Sequence, residues 1–309
     1  MNKYSLVLIS YLIIAGTTKA HVLHSEFKSV KDSTKLAEPI KHLKINNEDI
    51  TQLTWYQMIT EVPKDEYSFF RNTFSASDIP TVGGIAVLTG TLMRFDKSGW
   101  VYDKNLYHSS SLFRNTSDVS VYIGNGQFHF ILSALFATYG IIDQNQTALK
   151  TASNIVEAEL SAGLLVQILK RVTGRESPGG SDKSLGDWKF FPSIKEYQKD
   201  QPKYYSFPSG HLAATTAVLT VIANDYPQFT WFRPVSYCAL GILGISLVSH
   251  GMHWYSDLPL GFFIGYSIGN IVAPEIKLSK SKNDSNSSKI LLAPALGNNN
   301  IGINLAYIF

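Results

Sequence analysis

The chain has 309 residues, 45% of them hydrophobic and 17% charged, with a formal net charge of +3. That balance excludes a disordered chain, and 22 Gly and 12 Pro are too few for a collagen-like or low-complexity one. The near-neutral charge gives no electrostatic case for nucleic acid as a partner, and a single cysteine, Cys238, allows neither an internal disulfide nor a cysteine-based zinc site.

Residues 1–20 read as a secretory signal peptide: Lys3, an apolar run from Tyr4 to Ile14, then small residues up to Ala20. The run is short of the roughly 20 residues that cross a hydrocarbon core, so an uncleaved anchor is the alternative. The expectation is an exported, periplasmic protein. Residues 21–46 form a polar lead-in of mixed charge. A helical pattern follows Asn47 through Ile50, Leu53, Trp55, Met58 and Ile59, stopped by Pro63, and another helix is expected after Pro80. The stretch from Asp96 to Gln127, rich in Ser, Asn and Gly, is expected to be mostly loop. Helices are expected at about 127–141 and 148–173, the second closed by Gly174, then near 209–224, 233–250 and 255–273. Gly179 to Ser206 is a long aromatic connection of the kind that forms lids or binding surfaces.

Six apolar stretches, Ile79–Met93, Phe128–Ile142, Ile155–Leu169, His211–Ala223, Val235–Ser249 and Leu258–Val272, are each shorter than a full span. With a mean hydropathy of only +0.01 they are read as core helices, membrane-embedded helices being the alternative. After a polar stretch from Ser279, residues 290–309 alternate like two strands about Gly297–Asn300, a hairpin too small to make a membrane barrel. The division is therefore signal peptide 1–20, lead-in 21–46, helical domain 47–278, and linker with hairpin 279–309.

Three segments concentrate the chemistry: Lys170 to Pro178, then Pro208-Ser209-Gly210-His211, then His253-Trp254-Tyr255-Ser256-Asp257. Placed four apart on a helix, His253 and Asp257 share a face, and the carboxylate takes the Nδ1 proton, leaving the other ring nitrogen as a nucleophile. Ser209 and Gly210 open an apolar helical run whose first N–H groups bind anions. His211 stands beside that anion to protonate a leaving oxygen, and Lys170 and Arg175 bring positive charge to a transferring phosphoryl group.

Together the segments resemble the type 2 phosphatidic acid phosphatase (PAP2) family, which includes class A acid phosphatases and vanadium haloperoxidases. Its pattern is Lys-x6-Arg-Pro, Pro-Ser-Gly-His and Ser-Arg-x5-His-x3-Asp. The resemblance spans roughly residues 80–275 and implies an all-α helical bundle, here with a short C-terminal β-hairpin added. It also implies a phosphatase working through a phosphohistidine on His253, with no metal and no cofactor. Two motif arginines are absent: Ser177 and Leu247 stand in their places. Arg175 is the expected substitute for one, and His250, one turn before His253, is a possible accessory to the same anion.

The leading expectation is an exported phosphatase acting on a lipid phosphate or pyrophosphate, with peripheral membrane contact through the aromatic loop 188–205. The alternatives are a soluble nonspecific acid phosphatase, a vanadate-dependent haloperoxidase, and a non-catalytic anion-binding relative. Two missing arginines count against vanadate, and the retained histidines and Asp257 count against the non-catalytic reading.

Overall fold

A computed structural model describes residues 56–181 and 186–274, all within one compact unit, Leu53–Phe309. The expected signal peptide, the lead-in and the C-terminal hairpin lie outside the described residues. Helices dominate: α1 (Gln57–Thr60), α2 (Val62–Thr73), α3 (Ile79–Met93), α4 (Asp96–Ser109), α5 (Ser111–Ile123), α6 (Gly126–Ile142) and α7 (Gln146–Thr173) come first. A short α8 (Ile194–Lys199) interrupts the long connection, and α9 (Gly210–Asp225), α10 (Phe232–Ser249) and α11 (Leu258–Val272) complete the bundle.

Local signals set several boundaries as the sequence leads one to expect. Asn145 caps α7 by accepting from the Ala148 N–H at 3.0 Å. At its other end Gly174 adopts φ 51°, a left-handed conformation, and its N–H reaches the Lys170 carbonyl at 2.9 Å. A side chain there would strike the Lys189 carbonyl oxygen. Ser193 and Glu196 form a reciprocal capping box at the start of α8.

One expectation is extended and one corrected. The helix through Ile59 ends at Thr60, just before Pro63, as expected, and Pro63 also opens α2, sitting in its first turn where its missing N–H costs nothing. The segment 96–127 is largely α4 and α5, joined at Ser110, whose side chain accepts from the Phe113 N–H at 3.2 Å. Its polar residues are there for tertiary contacts: Asp96 and Asp103 of α4 are buried, and Gly99 makes room for the Tyr255 ring, 2.7 Å from where a Cβ would stand.

The core lies where α7, α9 and α11 meet, with Ile155, Leu165, Ala213, Val218, Ile264 and Ile268 fully or almost fully buried. Gly261, Gly265 and Gly269 recur every four residues and give α11 a flat face. Added Cβ atoms would come within 2.6 Å of the Ser209 carbonyl oxygen, 2.1 Å of that of Ala213 and 2.6 Å of Thr220 Cβ. Small residues in this spacing let two backbones approach, the device that packs helices tightly without bulky side chains. The outer helices do not follow the core-helix expectation. Only Thr89 of α3 is buried, and in α6 the buried positions are His129, Ser133 and Gly140 while Leu135, Ile141 and Ile142 are exposed. By length and composition, α7 and α10 are long and apolar enough to cross a membrane.

Candidate active site

His253 and Asp257 do not share a helix face. The His-x3-Asp segment is a tight turn between α10 and α11, ending in a 3-10 turn at Tyr255–Asp257. His253 is fully buried, and its Nδ1 lies 2.7 Å from the Ser206 carbonyl oxygen but 3.7 Å from Asp257 Oδ2. A carbonyl only accepts, so Nδ1 carries the proton and Nε2 holds a lone pair. Nε2 is buried and makes no hydrogen bond among the described residues. The tautomer is thus set by Ser206, not by the carboxylate, and Asp257 acts from one shell further out.

Asp257 organises the turn. Its Oδ2 accepts from Ser206 Oγ at 2.6 Å and from the Trp254 N–H at 2.7 Å, and its Oδ1 from Arg175 Nη1 at 2.5 Å. Its backbone carbonyl accepts from the Ser209 N–H at 3.1 Å, which ties this turn to the start of α9. Burial alone would push the Asp257 carboxyl up, but Arg175, His253 and Ser206 outweigh it and hold it below the usual carboxylate range. His253 is pushed down, chiefly by burial with Lys170 adding to it, against the opposing pull of Asp257 and Ser206. Its neutral form is therefore the favoured one.

Ser209 caps α9, with Oγ 3.4 Å from the Leu212 N–H, so the N–H groups of Gly210 and His211 occupy the helix's first turn, where no intrahelical partner exists. Lys170, buried near the end of α7, brings its ammonium to this point. Its Nζ would lie 3.4 Å from a Cβ on Gly210 and is 5.0 Å from the Tyr205 ring centroid. The His211 and His253 rings meet edge to face with centroids 6.3 Å apart. Behind His211, Thr215 Oγ1 donates to its carbonyl at 2.8 Å and sits 3.4 Å from Nε2 of His129, whose Nδ1 pairs with Glu159 at 2.7 Å. Lys170, Ser209, Gly210, His211, His253 and Asp257 therefore converge, and a helix start, an ammonium and an imidazole nitrogen without a partner among the described residues form an arrangement chemically suited to an anion.

Arg175 and His250 are placed otherwise than expected. The Arg175 guanidinium, expected on the phosphate, is fully buried between Asp257 and Asp96, with Nη2 2.8 Å from Asp96 Oδ2 and Nη1 2.7 Å from Ser256 Oγ. Two carboxylates outcompete an exposed anion for a rigid planar fork. His250 faces α5: Nε2 pairs with Asp118 at 3.0 Å, Nδ1 with the Ser246 carbonyl at 2.8 Å, and its ring packs on Tyr107. Leu247, in the place of the second missing arginine, is fully buried against Leu212, Leu240 and Leu243. Ser177 is buried in the loop, its N–H donating to the Pro202 carbonyl. Three contributors escape sequence reasoning, namely Asp96, Ser206 and Ser256. No local pattern marks them, because their partners lie 47 to 160 residues away.

Residues 151–277 match the family model described as the PAP2 superfamily, which bears out the resemblance read from the motifs. A lipid A 1-phosphatase from Porphyromonas gingivalis is 31% identical over 67 residues, 21% of this chain and 15% of that protein. The match thus spans only a small part of that relative. Among solved structures, Aquifex aeolicus LpxE is 19% identical with a TM-score of 0.41, covering 56% of this chain and 91% of its own. A transmembrane PAP2-type phosphatidylglycerolphosphate phosphatase from Bacillus subtilis is 15% identical with a TM-score of 0.43, covering 70% of this chain and 94% of its own.

Proposed function

We propose, from the PAP2 superfamily match of residues 151–277, that this chain is a phosphatase removing a phosphate monoester or pyrophosphate group from a lipid, with His253 as nucleophile. The observation that carries the reading is the His253 ring itself. Its Nδ1–H is committed to the Ser206 carbonyl, and its Nε2 lone pair is buried without a partner among the described residues, beside Lys170 and the start of α9.

In the proposed reaction Nε2 attacks phosphorus in line. The N–P bond forms as the bond to the leaving oxygen breaks, and that oxygen takes a proton from His211. The His211 pKa, pushed down to about 3 by burial and by the nearby His253 and Lys170, is raised by the negative charge of the bound phosphate so that it holds that proton. Water, giving its proton to His211, then attacks the phosphohistidine, releasing phosphate and restoring the imidazole. Lys170 and the amides of Gly210 and His211 face the oxygens on which charge accumulates, and Asp257 and Ser206 steady the imidazolium. No step draws on a metal. Arg175 and Leu247 leave the phosphate to Lys170 and the helix start, a thinner cationic cradle than the motif arginines supply, and this also disfavours vanadate chemistry.

The lipid part of the proposal is supported by the exposed apolar residues of α3, α6, α7 and α10, which suit contact with a bilayer better than they suit a soluble acid phosphatase. Export by residues 1–20 and a hairpin over 290–309 belong to the same proposal, on the strength of their sequence patterns. The test is phosphate release from dioctanoyl phosphatidic acid, a lipid pyrophosphate and p-nitrophenyl phosphate by detergent-solubilised protein, with chelator present. His253→Ala and His211→Ala should each lose at least about 100-fold in kcat. Rates unchanged in both variants would refute the assignment.

A further inference from the structure

Asp96 lies at the start of α4, in a segment with no motif, and is fully buried. Its bonds all lead to the turn that carries His253 and Asp257. Oδ1 accepts from the Ser256 N–H at 3.0 Å, and Oδ2 accepts from Ser256 Oγ at 2.5 Å and from Arg175 Nη2 at 2.8 Å. Arg175 passes the contact on to Asp257 Oδ1, Asp257 Oδ2 accepts from Ser206 Oγ, and the Ser206 carbonyl holds the His253 ring. The whole chain of contacts, from Asp96 to His253, is closed to solvent.

Charge makes the arrangement more than a clamp. Among the described residues, one guanidinium between the Asp96 and Asp257 carboxylates leaves these three groups with one negative charge more than positive. That surplus sits behind an imidazole that becomes cationic as its Nε2 bonds to phosphorus. Were Arg175 paired with Asp257 alone, the pair would carry no surplus negative charge, and the developing cation would be met by Asp257 with its charge offset by the guanidinium. Among the described residues, the other charged and titratable groups around His253 are Asp257 on its own turn, Lys170 from α7 and His211 from α9, of which Lys170 opposes an imidazolium.

We propose that Asp96 is a positioning residue of this site: it fixes the turn bearing His253 and Asp257 through Ser256 and Arg175, and it supplies the surplus negative charge that the phosphohistidine step requires. This makes Arg175, in this chain, a part of the support behind the nucleophile and not a phosphate ligand. The inference rests on the assignment of His253 as nucleophile.

The experiment compares kcat, KM and the pH dependence of kcat/KM for wild type, Asp96→Asn, Asp96→Glu, Ser256→Ala and His253→Ala, using the full chain in detergent with dioctanoyl phosphatidic acid and p-nitrophenyl phosphate. Asp96→Asn is expected to lower kcat about 10- to 100-fold, in keeping with loss of a buried charge-assisted contact, while KM changes less than about threefold. Its acid limb should move to lower pH, since removing a negative charge disfavours the imidazolium further. Asp96→Glu should recover part of kcat, and Ser256→Ala should lose about 3- to 10-fold. If His253→Ala is inactive while Asp96→Asn keeps the wild-type kcat and acid limb, the positioning role is overturned and the site stands. A rise in KM with kcat intact would also overturn it, by returning Arg175 to the phosphate. Should Asp96→Asn fail to fold, Ser256→Ala decides: a wild-type kcat and acid limb there refutes the proposal. A His253→Ala enzyme as fast as wild type would instead refute the site assignment beneath it.

Discussion

Gly261→Ala tests whether the spacing of α9 and α11 holds the groups of the proposed active site in register. An alanine Cβ at this position would stand 2.6 Å from the Ser209 carbonyl oxygen and 3.2 Å from Ser209 Cβ. Ordinary contact begins near 3.4 Å, so the two backbones must separate by about 0.8 Å. The displacement is focused on the site, because Ser209 caps the helix that carries Gly210 and His211, while Gly261 lies one turn after Asp257. Overpacking of this kind costs about 1–3 kcal/mol in stability, and a misplacement of about 1 Å can cost on the order of 100-fold in turnover. The assay is kcat with dioctanoyl phosphatidic acid beside thermal unfolding in detergent. Gly241→Ala serves as control, since a Cβ there meets nothing within 4 Å, and it should leave both quantities unchanged. A Gly261→Ala protein with wild-type kcat and Tm would show that this contact does not set the geometry of the site.

Two further outcomes follow from the ionisable groups. His253 is held below the ordinary histidine value of 6.5, so the acid limb of kcat/KM should fall below that pH; a limb above 6.5 would contradict its burial. Glu66 in α2 has both carboxylate oxygens buried without a hydrogen-bond partner among the described residues, and burial, with Asp65 adjacent, pushes its pKa up to about 7. The folded state then keeps a proton that the unfolded state has lost, so this residue's contribution to stability falls as pH rises from 4.5 to about 7. Glu66→Gln should therefore raise Tm relative to wild type at pH 8 and leave it nearly unchanged at pH 5. Equal shifts at the two pH values would rule out the titration of Glu66 as the cause.

Features that depend on neighbouring residues were legible in the sequence. The left-handed Gly174 and the Ser209 cap announce helix ends by residue type, and the apolar stretches correspond to six helices. Lys170, Ser209, Gly210, His211, His253 and Asp257 were singled out from their motifs, and the fold brings them together. Where composition had to stand in for contacts, the reading failed. The polar residues of 96–127 suggested a loop because nothing in that segment reveals that Asp96 and Asp103 meet Arg175, Ser256 and Tyr255. Hydropathy counts apolar residues without saying which way they face, and α3 buries none of its apolar residues fully while exposing Ile79, Val87 and Leu88.

The sequence by itself determined the helical character of the chain, the helix ends set by local caps, and the motif residues proposed to act on a phosphate. Tertiary structure alone decided what each charged group faces. Arg175, expected on the phosphate, faces Asp96 and Asp257, 79 and 82 residues away, in a place closed to solvent, and Nδ1 of His253 meets a backbone carbonyl 47 residues away. Capping and periodicity act over a single helical turn, whereas the partner of a buried charge is fixed only when distant segments pack and water is expelled. At that point leaving the charge unpaired becomes too costly, and the nearest opposite charge determines its role.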